Sequence, residues 1–295
     1  MTYRPAIRPG AAVLRRDGGH LQVGTSPGVV ITDRPGLLPF LRLIDGVRDV
    51  ERLRALVPAT VPELADDVER LLRELELAGV VFDASVWDFP RSPALAAEAR
   101  HASLAQRDPR ALAHRPGFRV ALHSDAATRP LAASVERLLG ECGLGSVHDP
   151  DPELLVLFGA GEPSRLVAEP PMRHGVDHLW VVVDEDRVRL GPFVRPGLTP
   201  CLGCHDRTRA DWDRAWPGLV DQFGRHSAAT TPSATSALTR AAAAVEIAAE
   251  VLASCDGRPL RTAGRVLVVG PDDDERADWP VGFHHGCGCA LLPAA

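Results

Sequence analysis

Short apolar runs at residues 11–15 and 20–24 flank Asp17-Gly18-Gly19, which predicts two short strands joined by a turn. A third run, Val29, Val30, Ile31 and Thr32, follows Ser26-Pro27-Gly28 and predicts a third strand. The apolar spacing then becomes helical. Residues 35–44 carry Leu37, Leu38, Phe40, Leu41 and Ile44, and Asp49 is placed to cap a short helix holding Val50, Leu53, Leu56 and Val57. A third helix opens near Pro62, with Leu64, Val68, Leu71, Leu72 and Leu75 on one stripe. Gly79 ends it, and Val80, Val81 and Phe82 can return as a strand. Three strands followed by three helices describe a winged-helix-like unit over residues 1–84.

Residues 85–116 place Pro90, Pro93, Pro109 and Pro116 around an alanine-rich stretch at 94–105, the pattern of a linker holding one helix. From residue 117 the period alternates. Strands are predicted at 118–122, 154–158, 179–183 and 265–269, and helices at 131–142 and 234–253. That order predicts an α/β domain over residues 117–295 with a largely parallel sheet. The segment 205–231, rich in Trp, Asp and Arg, shows no usable period.

With 295 residues, 45% hydrophobic and 24% charged, the composition is that of a soluble protein of two domains at roughly 150 residues each. No apolar run approaches the roughly 20 residues that span a bilayer, and the first residues lack a signal-peptide core, so a cytoplasmic protein without membrane contact is expected. All 33 basic residues are arginine. Without lysine there is no P-loop, Schiff-base or pyridoxal-phosphate chemistry.

Four of the six cysteines form two tight pairs, Cys201-Leu202-Gly203-Cys204 and Cys287-Gly288-Cys289. Four thiolates suffice for a closed tetrahedral zinc at Zn–S distances of about 2.3 Å, one structural ion per chain. Gly203 and Gly288 are expected to let each pair turn tightly. A redox C-x-x-C leaves Cys287 and Cys289 unexplained, and a catalytic zinc needs an open position that four thiolates fill. His205, His284 and His285 stand beside the pairs as substitute ligands, while Cys142 and Cys255 read as small buried hydrophobes.

Nucleotide binding by such a domain needs a glycine-rich turn after the first strand, but residues 123–129 contain no glycine. Gly159-Ala160-Gly161 is a weak substitute. Asp184-Glu185-Asp186 reads as a turn between strands and Asp272-Asp273-Asp274-Glu275 as a solvated loop, each with a carboxylate metal site as the alternative. His174, His178 and His226 read as surface or core histidines.

Thr199-Pro200-Cys201-Leu202-Gly203-Cys204, followed by Arg209-Ala210-Asp211 and Ala215-Trp216-Pro217, resembles the ThiF-like scaffold proteins of azole and thiopeptide biosynthesis, as does the tail His284-His285-Gly286-Cys287-Gly288-Cys289. The N-terminal unit resembles the PqqD-type element that binds precursor leader peptides. The resemblance implies a non-catalytic partner of a separate YcaO-type cyclodehydratase, which presents the leader of a ribosomally made peptide. It also implies a homodimer. In the family's arrangement Val29, Val30, Ile31 and Thr32 flank the leader groove on one side. Asp67, Arg70, Leu71, Arg73 and Glu74 flank it on the other, with Arg70 and Arg73 placed for leader carboxylates.

Two other functions are compatible with the sequence. ThiF-like relatives that adenylate a carboxyl terminus set the first, an ATP-dependent enzyme. A zinc-containing winged-helix DNA-binding regulator is the second. Residues 1–84 hold 11 arginines against 12 Asp and Glu, a net of −1, and the helical segment 63–76 has six acids and two arginines, which opposes binding to a duplex.

Overall fold

The computed structural model describes residues 2–25, 28–87, 93–104, 109–145, 147–225, 234–271 and 278–291. The chain divides into two compact units, Met1–Ala113 and His114–Ala295. Pro90, Ala105, His226 and the acidic run 272–275 lie outside the described residues.

The first unit contains β1 (Pro5–Ile7), β2 (Val13–Arg16), β3 (His20–Val23), β4 (Val29–Thr32), α1 (Leu37–Leu43), α2 (Val50–Thr60), α3 (Val68–Leu77), β5 (Val81–Asp83) and α4 (Pro93–Leu104). Strands β2, β3 and β4 form an antiparallel sheet in that order, with Leu14 opposite Gln22 and Leu21 opposite Ile31. Strand β1 pairs with β5 in a separate ribbon. Three residues opening on proline gave no strand signal, so β1 was invisible in the sequence. Val68, Leu71, Leu72 and Leu75 recur at i, i+3, i+4 and i+7, so α3 buries one stripe against Leu21, Phe40, Leu53 and Val57. The Asp49 carboxylate caps α2, accepting the Arg52 N–H at 2.8 Å. The third helix starts later than its sequence suggests. Pro62–Leu64 forms only a 3-10 turn, and α3 begins at Val68 after Ala65-Asp66-Asp67. Leu95, Ala99 and Ala102 of α4 gather with Leu112 into a small cluster of their own.

The second unit contains β6 (Val120–His123), α5 (Arg129–Glu141), β7 (Leu154–Ala160), α6 (Glu169–His174), β8 (Asp177–Asp184), β9 (Arg187–Val194), α7 (Leu202–Trp212), α8 (Trp216–Arg225), α9 (Ala237–Cys255), β10 (Arg265–Val269) and β11 (Asp278–Pro280). Its six-stranded sheet has the order β11-β10-β9-β8-β7-β6. Pairings β6–β7 and β7–β8 are parallel; β8–β9, β9–β10 and β10–β11 are antiparallel. The sheet expected from the alternating pattern to be largely parallel is therefore antiparallel in three of its five pairings. Only Glu185 and Asp186 separate β8 from β9, too short for a crossover helix, so the chain returns as a hairpin.

Residues of β7 alternate between the faces of this sheet. Val156 and Phe158 meet α5 and α9 through Val135, Leu139, Ile247 and Val251. Leu157, with Trp180 of β8, meets Leu202 and Cys204 of α7 on the opposite face. Buried Glu250 on α9 accepts the Thr262 hydroxyl at 2.8 Å and the Arg261 Nε at 3.0 Å, fixing the loop that leads into β10. No helix among the described residues is long and apolar enough to cross a membrane.

Candidate metal centre and strand-edge groove

Cys201 sits at the N-cap of α7 with extended backbone, and Cys204 lies one turn inside, its N–H bonded to the Cys201 carbonyl at 3.0 Å. Cys287 and Cys289 arrive on the short segment after β11, with Cys289 in a 3-10 turn (Gly288–Leu291). The sulfur of Cys201 is 3.6 Å from that of Cys287, and the sulfur of Cys204 is 3.3 Å from that of Cys289. All four lie within 4.8 Å of one another. These separations exceed the roughly 2.05 Å of a disulfide and match sulfurs about 2.3 Å from one shared ion. The donor set is four thiols, the arrangement that suits zinc in a closed site.

Burial raises the Cys201 thiol well above its ordinary range and Cys289 to about 11. A divalent cation held by Cys201, Cys204, Cys287 and Cys289 would supply the charge that lets all four ionise. Neither Gly203 nor Gly288 has a left-handed backbone, so neither turn depends on the conformational freedom of its glycine. Gly203 serves by lacking bulk. A Cβ there would lie 3.1 Å from Arg207 Nη1, 3.5 Å from Cys201 Sγ and 3.6 Å from Cys287 Sγ.

Of the segment 205–231 that showed no period, the described part, residues 205–225, forms most of α7 and all of α8, and it carries residues that sequence reading missed. Arg165 bonds Glu162 at 2.7 Å and Asp206 through two nitrogens at 2.7 Å, while Trp216 Nε1 donates to Asp206 at 3.0 Å. The Arg209 guanidinium lies 3.8 Å over the Trp216 ring. Burial works against ionised Asp206, but the nearby His205 ring and bonds from Arg165 and Trp216 outweigh it and hold its carboxyl far below the usual range. The network borders a groove of about 780 Å³ lined by Leu166, Ala210, Trp216, Pro217 and Val220. His205 is buried between Trp216 and Trp279, outside the four-sulfur cluster.

Other candidate chemistry in this unit has ordinary structural partners. Asp125 Oδ1 accepts the Thr128 N–H and hydroxyl, each at 2.8 Å, so the glycine-free segment after β6 is a side-chain-closed turn leading into α5. The Gly161 N–H donates to the Val183 carbonyl at 2.7 Å and extends the sheet. His174 bonds the Pro170 carbonyl, and His178 is fully buried beside Trp180.

In the first unit, β4 pairs only with β3 among the described residues. The Asp33 N–H bonds the Gly19 carbonyl at 2.9 Å, so by antiparallel alternation Ile31 and Val29 bond inward to β3. Val30 and Thr32 therefore turn their N–H and C=O groups to the open edge. Beside that edge lies a pocket of about 300 Å³ lined by Ile31, Thr32, Arg34, Leu37, Leu71, Glu74 and Leu75.

Four of the residues expected at a peptide groove, Ile31, Thr32, Leu71 and Glu74, thus line one pocket. Arg70 bonds Asp67 and Glu74, and Glu74 also accepts Arg34 at 2.7 Å, so this rim is a chain of paired charges. Arg73 instead borders a second cleft of about 200 Å³ with Tyr3, Val50, Glu69, Leu72 and Glu76. Arg34, Leu37 and Leu75 were not anticipated as lining residues. Arg34 follows a predicted strand, and the two leucines read only as core.

No family model matches the sequence. Solved structures share the fold over nearly the whole chain. The heterocyclase TruD aligns with 98% of the chain and 43% of its own length, with a TM-score of 0.72 and 18% identity. A heterocyclase in complex with substrate and cofactor aligns with 98% of the chain and 40% of its own length, at TM-score 0.70 and 17% identity. MccB of E. coli, solved with MccA, aligns with 97% of the chain and 99% of its own, at TM-score 0.62 and 13% identity.

The chain spans less than half the length of these heterocyclases. A curated relative, the squalene–hopene cyclase of Bradyrhizobium diazoefficiens, is 32% identical over 146 residues, which is 47% of this chain and 22% of that protein. A match over so small a part of the cyclase brings no activity with it. The ThiF-like resemblance read from the cysteine segments is borne out in the fold shared with TruD and MccB.

Proposed function

We propose, from the fold shared with TruD and MccB, that this chain is a non-catalytic scaffold. It binds the leader of a ribosomally made precursor peptide and presents it to a separate YcaO-type cyclodehydratase for azoline or azole formation. The observation that carries the reading is the open edge of β4 beside the pocket under α3. An extended peptide adds there as a fourth strand, with Val30 and Thr32 supplying main-chain bonds and Leu37, Leu71 and Leu75 receiving an apolar side chain. In this reading residues 1–84 are the winged-helix-like recognition element, residues 85–116 the linker, and residues 117–295 a domain stabilised by one zinc on Cys201, Cys204, Cys287 and Cys289.

The missing lysines and the glycine-free turn at 123–129 support presentation over nucleotide chemistry. ATP was present in one structure of MccB, which keeps adenylation of a peptide carboxyl terminus as the second reading. Homodimerisation is proposed on the same family likeness.

Fluorescence anisotropy of a labelled leader from the neighbouring precursor gene, titrated with the full chain, tests the first reading. Saturable binding is expected. Failure to bind, with ATP–pyrophosphate exchange by the purified chain alone, would replace the scaffold with an adenylating enzyme.

A further inference from the structure

Helix α7 carries Cys204 and Asp211 seven residues apart, two turns on one face. The second cysteine pair approaches that face from the tail, and His284 stands three residues ahead of Cys287. The His284 ring is engaged at both nitrogens. Nδ1 accepts the Gly286 N–H at 3.0 Å, so the proton resides on Nε2, which donates to Asp211 Oδ2 at 3.1 Å. The His284 carbonyl also accepts the Cys287 N–H at 2.9 Å. One residue therefore shapes the turn that delivers a metal-ligating sulfur and ties that turn to the helix bearing the opposite pair.

Packing holds the ring in this pose. His285 stacks on it with centroids 4.3 Å apart. A Cβ at Gly286 would come within 3.2 Å of Nδ1, so glycine there leaves the ring its place. The His284 side chain is 12% exposed while Asp211 is 61% exposed, so the bond reaches from a sheltered turn to an accessible carboxylate.

We propose that the Asp211–His284 bond is a clasp that keeps the Cys287-Gly288-Cys289 segment on α7 and sets how slowly the metal is released. The inference rests on the zinc reading. Cys287 and Cys289 share one short segment, so metal escape is easiest when that segment lifts as a unit. A tether at its base keeps both thiolates at high effective concentration around the ion. Outer-sphere partners of this kind typically change metal retention by about 10- to 100-fold.

The test uses the full chain loaded with zinc and mixed with excess chromophoric chelator, with the release rate followed by absorbance. Asp211→Ala and His284→Ala should each release zinc about tenfold faster. The double variant should be no faster than the quicker single one, because both remove one bond. Asp211→Asn keeps an oxygen that accepts Nε2–H and should stay near the parent rate. Asp211 is exposed, so its variants should keep the parent's circular dichroism before chelator is added.

Rates within twofold of the parent for Asp211→Ala would overturn the clasp, as would a double variant whose effect multiplies the two singles. Metal content of the parent separates the two readings. About one zinc per chain with unchanged release rates overturns the clasp alone, whereas a chain purified without stoichiometric metal overturns the zinc reading and the clasp together.

Discussion

The groove of the first unit and the cysteine cluster of the second handle polar groups in opposite ways. At β4, backbone donors and acceptors stand open along one edge, and the charges beside them are exposed and paired only with neighbours. At the cluster, four sulfurs turn inward on one point, three of them buried, and no donor is left over for a visitor. Unfilled backbone bonding is a means of recognition, because a passing peptide completes it. A filled ligand set is a means of stability, because removing any member leaves the rest unsatisfied. Under the proposed function, binding falls to the first region and folding to the second.

The widest separation between the two regions comes from the cluster. Cys201→Ser or Cys287→Ser should abolish stoichiometric zinc and lower the melting temperature of the second unit sharply, since structural zinc contributes on the order of 10 kcal/mol to folding. Leader affinity should change far less. Metal analysis, calorimetry and anisotropy on the same sample check all three, and an unchanged melting curve would count against the ligand set.

Acid sharpens the contrast next. His178 is fully buried, and desolvation lowers its pKa to about 4 from 6.5. Its Nδ1–H bonds the Val176 carbonyl at 2.9 Å, leaving Nε2 without a partner in the core. The folded pKa lies below the unfolded one, so folding favours the neutral ring. This contribution, about 3 kcal/mol in all, is whole above pH 6.5 and is lost as pH falls from 6.5 to about 4. Denaturant titrations at pH 7 and 4.5 should show the loss in the parent. His178→Asn, whose amide can still donate to Val176, should show much less of it.

What the sequence disclosed follows the same division. The cluster was legible because C-x-x-C and C-x-C are local spacings, and each pair needs only its own turn to aim two sulfurs together. Strand β4 and the buried stripe of α3 were legible because periods of 2 and 3.6 survive in short windows. The pocket between them was not, since Arg34 enters from a loop and Leu37 and Leu75 look like any core leucine. Nor were β9, β11 and the antiparallel pairing beyond β8, or the Glu162–Arg165–Asp206–Trp216 network, because they depend on what a hairpin or a polar helix meets across the fold. The role given to Gly203 failed for a related reason: its missing side chain matters to Arg207 and Cys287, which are distant or differently oriented in any local reading.

The open edge can be closed by one imino acid. Val30 turns its N–H outward, so Val30→Pro removes no bond within the three-stranded sheet, the circumstance in which an edge strand accepts proline. Leader affinity should fall at least about tenfold, roughly 1.4 kcal/mol, with the melting curve little changed. Equal losses of affinity and stability would instead mean that the proline broke the sheet.

The smallest effect is expected at the charged rim. Arg70 is suitably placed on α3 for a leader carboxylate, yet its guanidinium already bonds Asp67 and Glu74, and Glu74 is shared with Arg34. An incoming carboxylate must displace one of these acids, exchanging one exposed ion pair for another, and such pairs differ little in water. Arg70→Ala should therefore alter leader affinity by less than about threefold, with a shallow dependence on salt. Arg34→Ala should cost more, because Arg34 also lines the pocket that receives the apolar side chain. Anisotropy titrations of both variants at low and high salt decide between the two arginines. A tenfold loss at Arg70 that vanishes in high salt would move recognition from the backbone edge to the charged rim.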